Sequence, residues 1–382
     1  MGVYMINVGI CFGGKSVEHD ISIITYTQVE SAINKDKYNV IPLYLDRDNN
    51  FYTFKKMNSV KEFKDNKGFK RVNFIRKKDG TYVRGKKLDC VVLVNHGKGL
   101  EDGTLASFFK MLNVPCTAPD IFTSATFHNK YLSKVILKEN KIPVLNYYLV
   151  NKEKWESSDS DCEVKPSDNR DKIINSIYNE LKSEVVIVKP VNLGSSIGVK
   201  VCKNRIELTE AIDKGFLYDN KIIVEKCLDD FREFNQAIYK YKENIVLSKI
   251  EEVVINNNDN TFYGFDEKYV NGNSTRILPA EISQNLKVKI NKMTIKIQKI
   301  FDNIGVIRVD YLYNSKDKRL YVNEINVIPG ALSYYLFEVK DIFFDDLIDN
   351  LIIEAVTDFL DEDVVISSFD SNVLCGKKMG KF

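Results

Sequence analysis

What the chain has little of sets the first limits. Its seven cysteines are an odd number, scattered as Cys11, Cys90, Cys116, Cys162, Cys202, Cys227 and Cys375, and no two form a CxxC pair. That pattern argues against a disulfide framework and against a zinc site, and it fits a reducing cytoplasm. Net charge is also scarce: 55 basic and 53 acidic residues leave +2, and the basic runs are short clusters such as Arg76-Lys77-Lys78. No basic stripe is available to recruit nucleic acid. No apolar run approaches the roughly 18 residues that suggest a membrane span. The apolar stretch at 5–12 is short, lacks a basic leader and ends in Gly13-Gly14. It reads as a first core strand, and neither a signal peptide nor an anchor fits it. Internal repeats and low-complexity tracts are absent too. The expectation is a cytoplasmic protein without nucleic-acid or membrane partners.

What is present describes a globular chain. Its 382 residues suggest about two or three domains, and 44% hydrophobic with 28% charged residues is an ordinary soluble composition. The first 120 or so residues alternate strand and helix signals (6–12, 22–33, 40–44, 89–94, 104–112), which implies a mostly parallel α/β sheet. A helix is expected over 125–139, a polar surface insertion over 151–172, and a helix over 173–181. Strands follow at 185–189 and 199–202, a helix at 206–216, and strands at 221–225, 233–238 and 245–250. Residues 287–304 form a strongly amphipathic helix, with Ile290, Met293, Ile297, Ile300 and Phe301 on one face. Another helix spans 345–359, and a polar tail begins at 364.

The stretch richest in chemistry is Arg308-Val309-Asp310 and, beyond a polar turn at 314–318, Asn323-Glu324-Ile325-Asn326 with Pro329-Gly330. Residues 306–313 and 319–325 read as the strands of a hairpin. Side chains two apart on a strand face the same way, so Glu324 and Asn326 project together, and Asp310 on the partner strand joins them. Two carboxylates and an amide suit Mg²⁺, a hard cation with oxygen ligands. Spacing alone leaves equally open an edge hairpin with solvated acids. Gly13-Gly14-Lys15-Ser16, between a strand and a helix, offers a possible anion cradle. It is, however, neither GxGxxG nor GxxxxGK[ST].

Four further motifs stand in order with that hairpin: Gly13-Gly14-Lys15-Ser16-Val17-Glu18-His19-Asp20-Ile21-Ser22; His96-Gly97-Lys98-Gly99-Leu100-Glu101-Asp102-Gly103-Thr104; Lys189-Pro190 with Gly194-Ser195-Ser196-Ile197-Gly198; and Lys268-Tyr269. Together the five resemble the D-alanine–D-alanine ligases of the ATP-grasp superfamily, over about residues 5–358.

The resemblance implies an ATP-grasp fold of three parts: an N-terminal parallel α/β domain (1–125), a small central lid domain (126–222) and a C-terminal antiparallel-sheet catalytic domain (223–363), with a tail at 364–382. It implies ATP-dependent, ADP-forming ligation of two D-amino acids through an acyl phosphate, for peptidoglycan precursors. Asp310, Glu324 and Asn326 would hold two Mg²⁺ (or Mn²⁺), with Glu324 bridging. Lys130, Lys189 and Lys268 would contact phosphates, with Ser196 in the loop over them. Glu225, Lys226 and Leu228 would border adenine, and Glu233 the ribose. Arg308 and the N–H of Gly330 would meet the oxyanion. Glu18, with His96 nearby, would receive the first amino acid's ammonium. Tyr269 would latch a mobile loop at 262–275 through Ser195 to Glu18. Tyr269 stands where lactate-using relatives tend to carry His, which favours an amine nucleophile. Ser333 and Tyr335 would meet the second amino acid, and a homodimer is expected.

Departures are plain. Asn129 replaces a usual Asp, Leu100 a common Gly, and Tyr335 stands where the family typically places a Ser that binds the second carboxylate. A paralogue with another second amino acid is therefore a rival expectation, and a nucleotide-binding regulator without catalysis a remoter one.

Overall fold

The computed structural model describes residues 5–55, 57, 62–65, 68–157, 166–255, 274–301 and 305–363. Strand β1 (Ile6–Gly13) is the centre of the first sheet because it has apolar residues on both faces: Val8, Ile10, Cys11 and Phe12 are wholly buried. Helix α1 (His19–Ala32) follows, then β2 (Tyr38–Leu45), β3 (Phe51–Thr53), the short helix α2 (Glu62–Asp65) and β4 (Lys70–Arg71). Three small strands, β5 (Phe74–Lys77), β6 (Gly80–Val83) and β7 (Lys86–Lys87), form a separate antiparallel sheet. β8 (Cys90–Leu93) and α3 (Thr104–Met111) complete this region. The sheet order is β4-β3-β2-β1-β8, with β1 parallel to β2 and β8 and the β2–β3 and β3–β4 pairs antiparallel. The parallel core matches expectation. The strands between 51 and 87 were not anticipated, since most are two to four residues long and polar.

The single helix expected over 125–139 is two, α4 (Ile121–His128) and α5 (Lys130–Glu139). Asn129 breaks them: its backbone is extended (φ −86°, ψ 104°), and its side chain accepts the Leu132 N–H as an N-cap. Strand β9 (Tyr147–Asn151) leads into α6 (Lys152–Glu156) and α7 (Pro166–Leu181). The expected surface insertion is thus partly core. Trp155 is fully buried with Ile174 and Ile177, and its indole N–H donates to Asp213 at 2.8 Å. β10 (Val186–Pro190), β11 (Lys200–Cys202), α8 (Arg205–Gly215) and β12 (Lys221–Lys226) complete a sheet ordered β11-β10-β12-β9.

The last sheet, β15-β14-β13-β16-β17, is antiparallel throughout. It comprises β13 (Phe231–Tyr241), β14 (Asn244–Ile255), β15 (Ser274–Ile277), β16 (Ile307–Asn314) and β17 (Arg319–Asn326). Helix α9 (Gln284–Phe301) packs on it through buried Leu286, Ile290 and Ile297, with Met293, Ile300 and Phe301 alongside. A 3₁₀ turn (Gly330–Ser333), α10 (Tyr335–Glu338) and α11 (Phe344–Asp363) follow.

The hydrophobic cores cross the segment boundaries drawn from sequence. Phe127, Leu137 and Ile142 pack with the last sheet. Leu347, Ile348, Leu351 and Ile352 of α11 pack with the first. Among the described residues no helix is long and apolar enough to cross a membrane. Lys268, Tyr269 and most of the expected closing loop lie outside the described residues, as does the tail from 364.

Candidate active site

The hairpin register places Asp310 opposite Glu324 and Arg308 opposite Asn326, so all four share one face at the strand ends. A register shift follows Asp310. The Arg308 guanidinium grips the Asp310 carboxylate with two bonds, Nε to Oδ1 at 2.7 Å and Nη2 to Oδ2 at 2.8 Å. Asn326 Nδ2 adds a third at 3.0 Å to Oδ2. The Arg308–Asp310 ion pair is therefore present in this state. Burial raises the Asp310 pKa, Arg308 opposes it, and Glu324 and Glu233 push it further up. Carboxylates crowded together in this way attract a cation.

Facing the hairpin is a wall of lysines. Lys189 on β10 is 4% exposed; its Nζ lies 3.2 Å from Glu225 Oε2 and 3.1 Å from Asn323 Oδ1. Lys134 on α5 is 1% exposed, and its Nζ lies 3.3 Å from the other Glu225 oxygen. Burial lowers the Lys134 pKa in spite of Glu225. Burial would raise that of Glu225, but the two lysines bring its net direction below the ordinary value. Lys130 Nζ donates to the Leu193 carbonyl at 2.7 Å and stands 3.8 Å from Glu324 Oε2. Glu225, placed at adenine by the sequence reading, thus turns its carboxylate to the lysines. The backbone N–H groups of Lys226 and Cys227 bond to the Asn146 and Val185 carbonyls. Lys226 is exposed, and Leu228 is buried against Leu145 and Leu312.

At the other end of the cleft, the loop after β1 positions Glu18. The Lys15 N–H goes to Asn49 Oδ1 and the Glu18 N–H to Ser16 Oγ, so the loop holds Glu18 and spends these donors on the protein, contrary to an anion cradle. Leu100 explains its own departure: it is buried against Gly14, where a Cβ would come within 2.7 Å of it. Glu18 is 6% exposed, accepts a short hydrogen bond from Ser195 Oγ, and has its Oε2 buried without a hydrogen-bond partner. A Cβ on Gly194 would stand 3.1 Å from both carboxylate oxygens. The positive φ of the turn falls on Ser195 and Ser196 themselves (53° and 57°) and on Gly198 (72°). Gly194 is therefore needed for the close approach of Glu18 rather than for its φ.

A cavity of about 570 Å³ runs from Glu18 to the Asp310–Glu324 hairpin. Glu18, His96, Ser195, Ser196, Glu233, Arg308, Asp310, Glu324, Asn326, Gly330 and Tyr335 line it. Ser333 does not. The 3₁₀ turn, with positive φ at Ala331, Leu332 and Ser333, carries its side chain inward, where it is fully buried and its hydroxyl has no hydrogen-bond partner.

The sequence matches the D-ala D-ala ligase N-terminus over residues 7–119 and the D-ala D-ala ligase C-terminus over 136–353. The chain belongs to the D-alanine–D-alanine ligase family. It is 39% identical to the D-alanine–D-alanine ligase of Thermosipho africanus (strain TCF52B), over 97% of this chain and 98% of that one. The VanG D-Ala:D-Ser ligase from Enterococcus faecalis superposes with a TM-score of 0.76 at 24% identity, covering 92% of this chain and all of that one. The D-alanine-D-alanine ligase from Coxiella burnetii also gives 0.76, at 22% identity and 94% and 96% coverage. These likenesses give the family and its ATP-grasp fold.

Within this family frame, the structure adds residues to the site that the sequence reading did not assign. Lys134 is one, and its four-residue spacing from Lys130 was a legible signal. On the cavity wall, Tyr335 donates to Glu251 Oε2 at 3.1 Å and accepts from Arg276 Nη1 at 2.8 Å. Asn235 Nδ2 reaches the same Glu251 oxygen at 3.2 Å. Burial pushes the Tyr335 phenol up to about 12. Behind Glu18, Glu101 pairs with His128 and His96, at 3.2 Å and 3.7 Å. Their imidazoles pull its carboxyl down to about 2 against the effect of burial.

Proposed function

We propose that the protein joins two D-alanine molecules with ATP, releasing ADP and phosphate, in the supply of peptidoglycan precursors. The observation that carries this reading is the polarity of the cavity. At one end the cavity is lined by Glu18, whose Oε2 is buried without a hydrogen-bond partner; at the other it is lined by Asp310 and Glu324, and behind that pair Lys130 stands 3.8 Å from Glu324 while Lys134 and Lys189 converge on Glu225. The first end suits an ammonium, the second a polyphosphate.

In the proposed reaction Glu18, held by Ser195, anchors the ammonium of the first D-alanine and leaves its carboxylate directed towards the lysine wall. Lys130 and Lys189 hold the ATP phosphates. A carboxylate oxygen attacks the γ-phosphorus, the bond to the ADP oxygen breaks, and an acyl phosphate forms. The amine of the second D-alanine, having lost a proton, attacks the acyl carbon, and inorganic phosphate leaves. Arg308 and the Gly330 N–H would meet the oxyanion of the tetrahedral intermediate. Asp310, Glu324 and Asn326 are the residues that would hold Mg²⁺. Among the described residues no group of three or more His, Cys, Asp and Glu is arranged for a metal. The set here is two carboxylates and an amide, an all-oxygen set suited to a hard cation that shares its coordination with phosphates. When bound, the ion neutralises phosphate charge. Cytoplasmic residence and a homodimer belong to the same reading through the family.

Tyr335 favours a second reading, in which the acceptor is a different amino acid. Its ring, fixed between Arg276 and Glu251, fills space that a serine would leave open. Phosphate release by the purified protein with Mg-ATP, across D- and L-amino acids singly and in pairs with product masses recorded, decides between them. D-alanine alone yielding its dipeptide supports the first reading, and release only with a mixed pair supports the second. Silence with every pair overturns ligation.

A further inference from the structure

The His128 ring sits where three segments meet. Its Nδ1 lies 3.2 Å from Glu101 Oε1, in the loop after β8. Its Nε2 lies 3.2 Å from the Asn192 carbonyl oxygen, at the root of the turn that carries Ser195 and Ser196. Both partners are acceptors, so each nitrogen must supply a proton, and a ring that donates from both nitrogens is an imidazolium.

Neither partner has freedom to yield. The Asn192 N–H and side-chain amide bond to Asp219 at 2.6–3.2 Å, and Asn129 Nδ2 reaches Asn192 Oδ1 at 2.6 Å. The neighbouring Lys130 N–H goes to the Val191 carbonyl at 3.0 Å. On the other side, Glu101 Oε2 faces His96, which is in turn bonded to Thr25 Oγ1.

We propose that His128 is a positioning residue of this ligase. Its imidazolium ties Glu101, behind the first amino acid, to the carbonyl at the root of the glycine turn, and its charge adds to that of the groups that help Glu18 stay ionised to receive an ammonium. The proposal rests on Glu18 being the ammonium anchor. The charged groups facing the ring are Glu101, Asp102 and Lys130, with burial acting against the charge and Glu101 outweighing it, so the His128 pKa is raised. The pKa of Glu18 is raised: burial and Glu101 push it up, and His96, Ser195 and, least of the three, His128 oppose them. Removing the imidazolium leaves two buried carboxylates with one cation fewer. Glu18 then protonates at a higher pH and loses its hold on an ammonium.

Two measurements test this on the full-length protein. The chain has three histidines, so nitrogen NMR of histidine-labelled protein resolves each ring. The expected result is that His128 has both nitrogens protonated at neutral pH and loses one only above the ordinary histidine range. A neutral His128 at neutral pH overturns the proposal. This arm needs no turnover, so it decides the matter even if the wild-type protein releases no phosphate.

The second measurement is steady-state kinetics of His128→Gln and His128→Lys. For His128→Gln, KM for the first-site amino acid should rise at least about tenfold, the size of one charge-assisted hydrogen bond. Its kcat at saturating amino acid should stay within about twofold, and the acid limb of kcat/KM should move to higher pH. His128→Lys restores the charge and should bring the limb back. An equal loss of kcat in both variants without movement of the acid limb would reduce His128 to packing and overturn the proposal.

Discussion

Behind the hairpin end of the cavity, two buried ammonium groups, Lys134 and Lys189, share one glutamate, Glu225. At the Glu18 end two carboxylates, Glu18 and Glu101, stand with His96 and His128, and one oxygen of Glu18 is left without a hydrogen-bond partner. Both clusters are buried, and both contain acid and base. They differ in which sign predominates, and therefore in what each can accept. A protein meeting charged ligands at two ends of one cavity has to leave each end incompletely neutralised, because a fully paired cluster has nothing to offer an incoming ion.

The contrast can be broken from either end. Replacing Glu324 with Ala removes the hairpin carboxylate that stands 3.8 Å from Lys130, and phosphate release should fall by at least about a thousandfold in a Mg-ATP assay. Near-normal turnover would remove Glu324 from the chemistry. Lys134→Met leaves Glu225 with one lysine. The Lys189–Glu225 pair that remains is balanced, so the expected loss is about 2 kcal/mol in urea unfolding, the size of one hydrogen bond to a charged group. Glu18→Gln should raise KM for the first amino acid about a hundredfold while ATP binding, followed by calorimetry, changes little; parallel loss of both would merge the two ends.

Acidity sharpens the comparison. The Glu101 carboxyl is held at about 2 against an unfolded value of 4.5. A depressed carboxyl contributes stability that is complete above the unfolded value and is lost as pH falls towards the folded one. Unfolding midpoints should therefore drop between these two values, and Glu101→Gln should flatten that limb. The smallest effect is expected for Tyr335→Ser, a shift of selectivity towards D-alanine at the second position of about tenfold or less. Unchanged selectivity would clear Tyr335 of that role.

The parts of the site held by one strand pair were legible beforehand. Arg308, Asp310, Glu324 and Asn326 follow from a period of two and one polar turn, and the structure places them on one face. Lys134 was within reach, four residues from Lys130 on a helix. The group of Glu101, His128 and Asn192 was not, because its members come from three separate segments and meet only when the sheets are packed. Local pattern also failed at Asn129. A polar residue within a helical run gives no sign that its side chain will cap one helix as the preceding one ends. Trp155 misled in the opposite sense, since its polar neighbours hid a buried anchor.

Helix α11 packs Leu347, Ile348, Leu351, Ile352 and Ala355 into the same hydrophobic core as β1 and β8. On the ribosome, then, the first sheet emerges long before the helix that covers it. At about 5–20 residues per second, the stretch from Ala118 to Ala355 takes on the order of ten to fifty seconds to synthesise. Throughout that interval the nascent N-terminal segment carries an uncovered apolar face, a surface for chaperones to guard. A fragment ending near residue 125 would expose that face permanently, so its expression should depend on α11 supplied in trans.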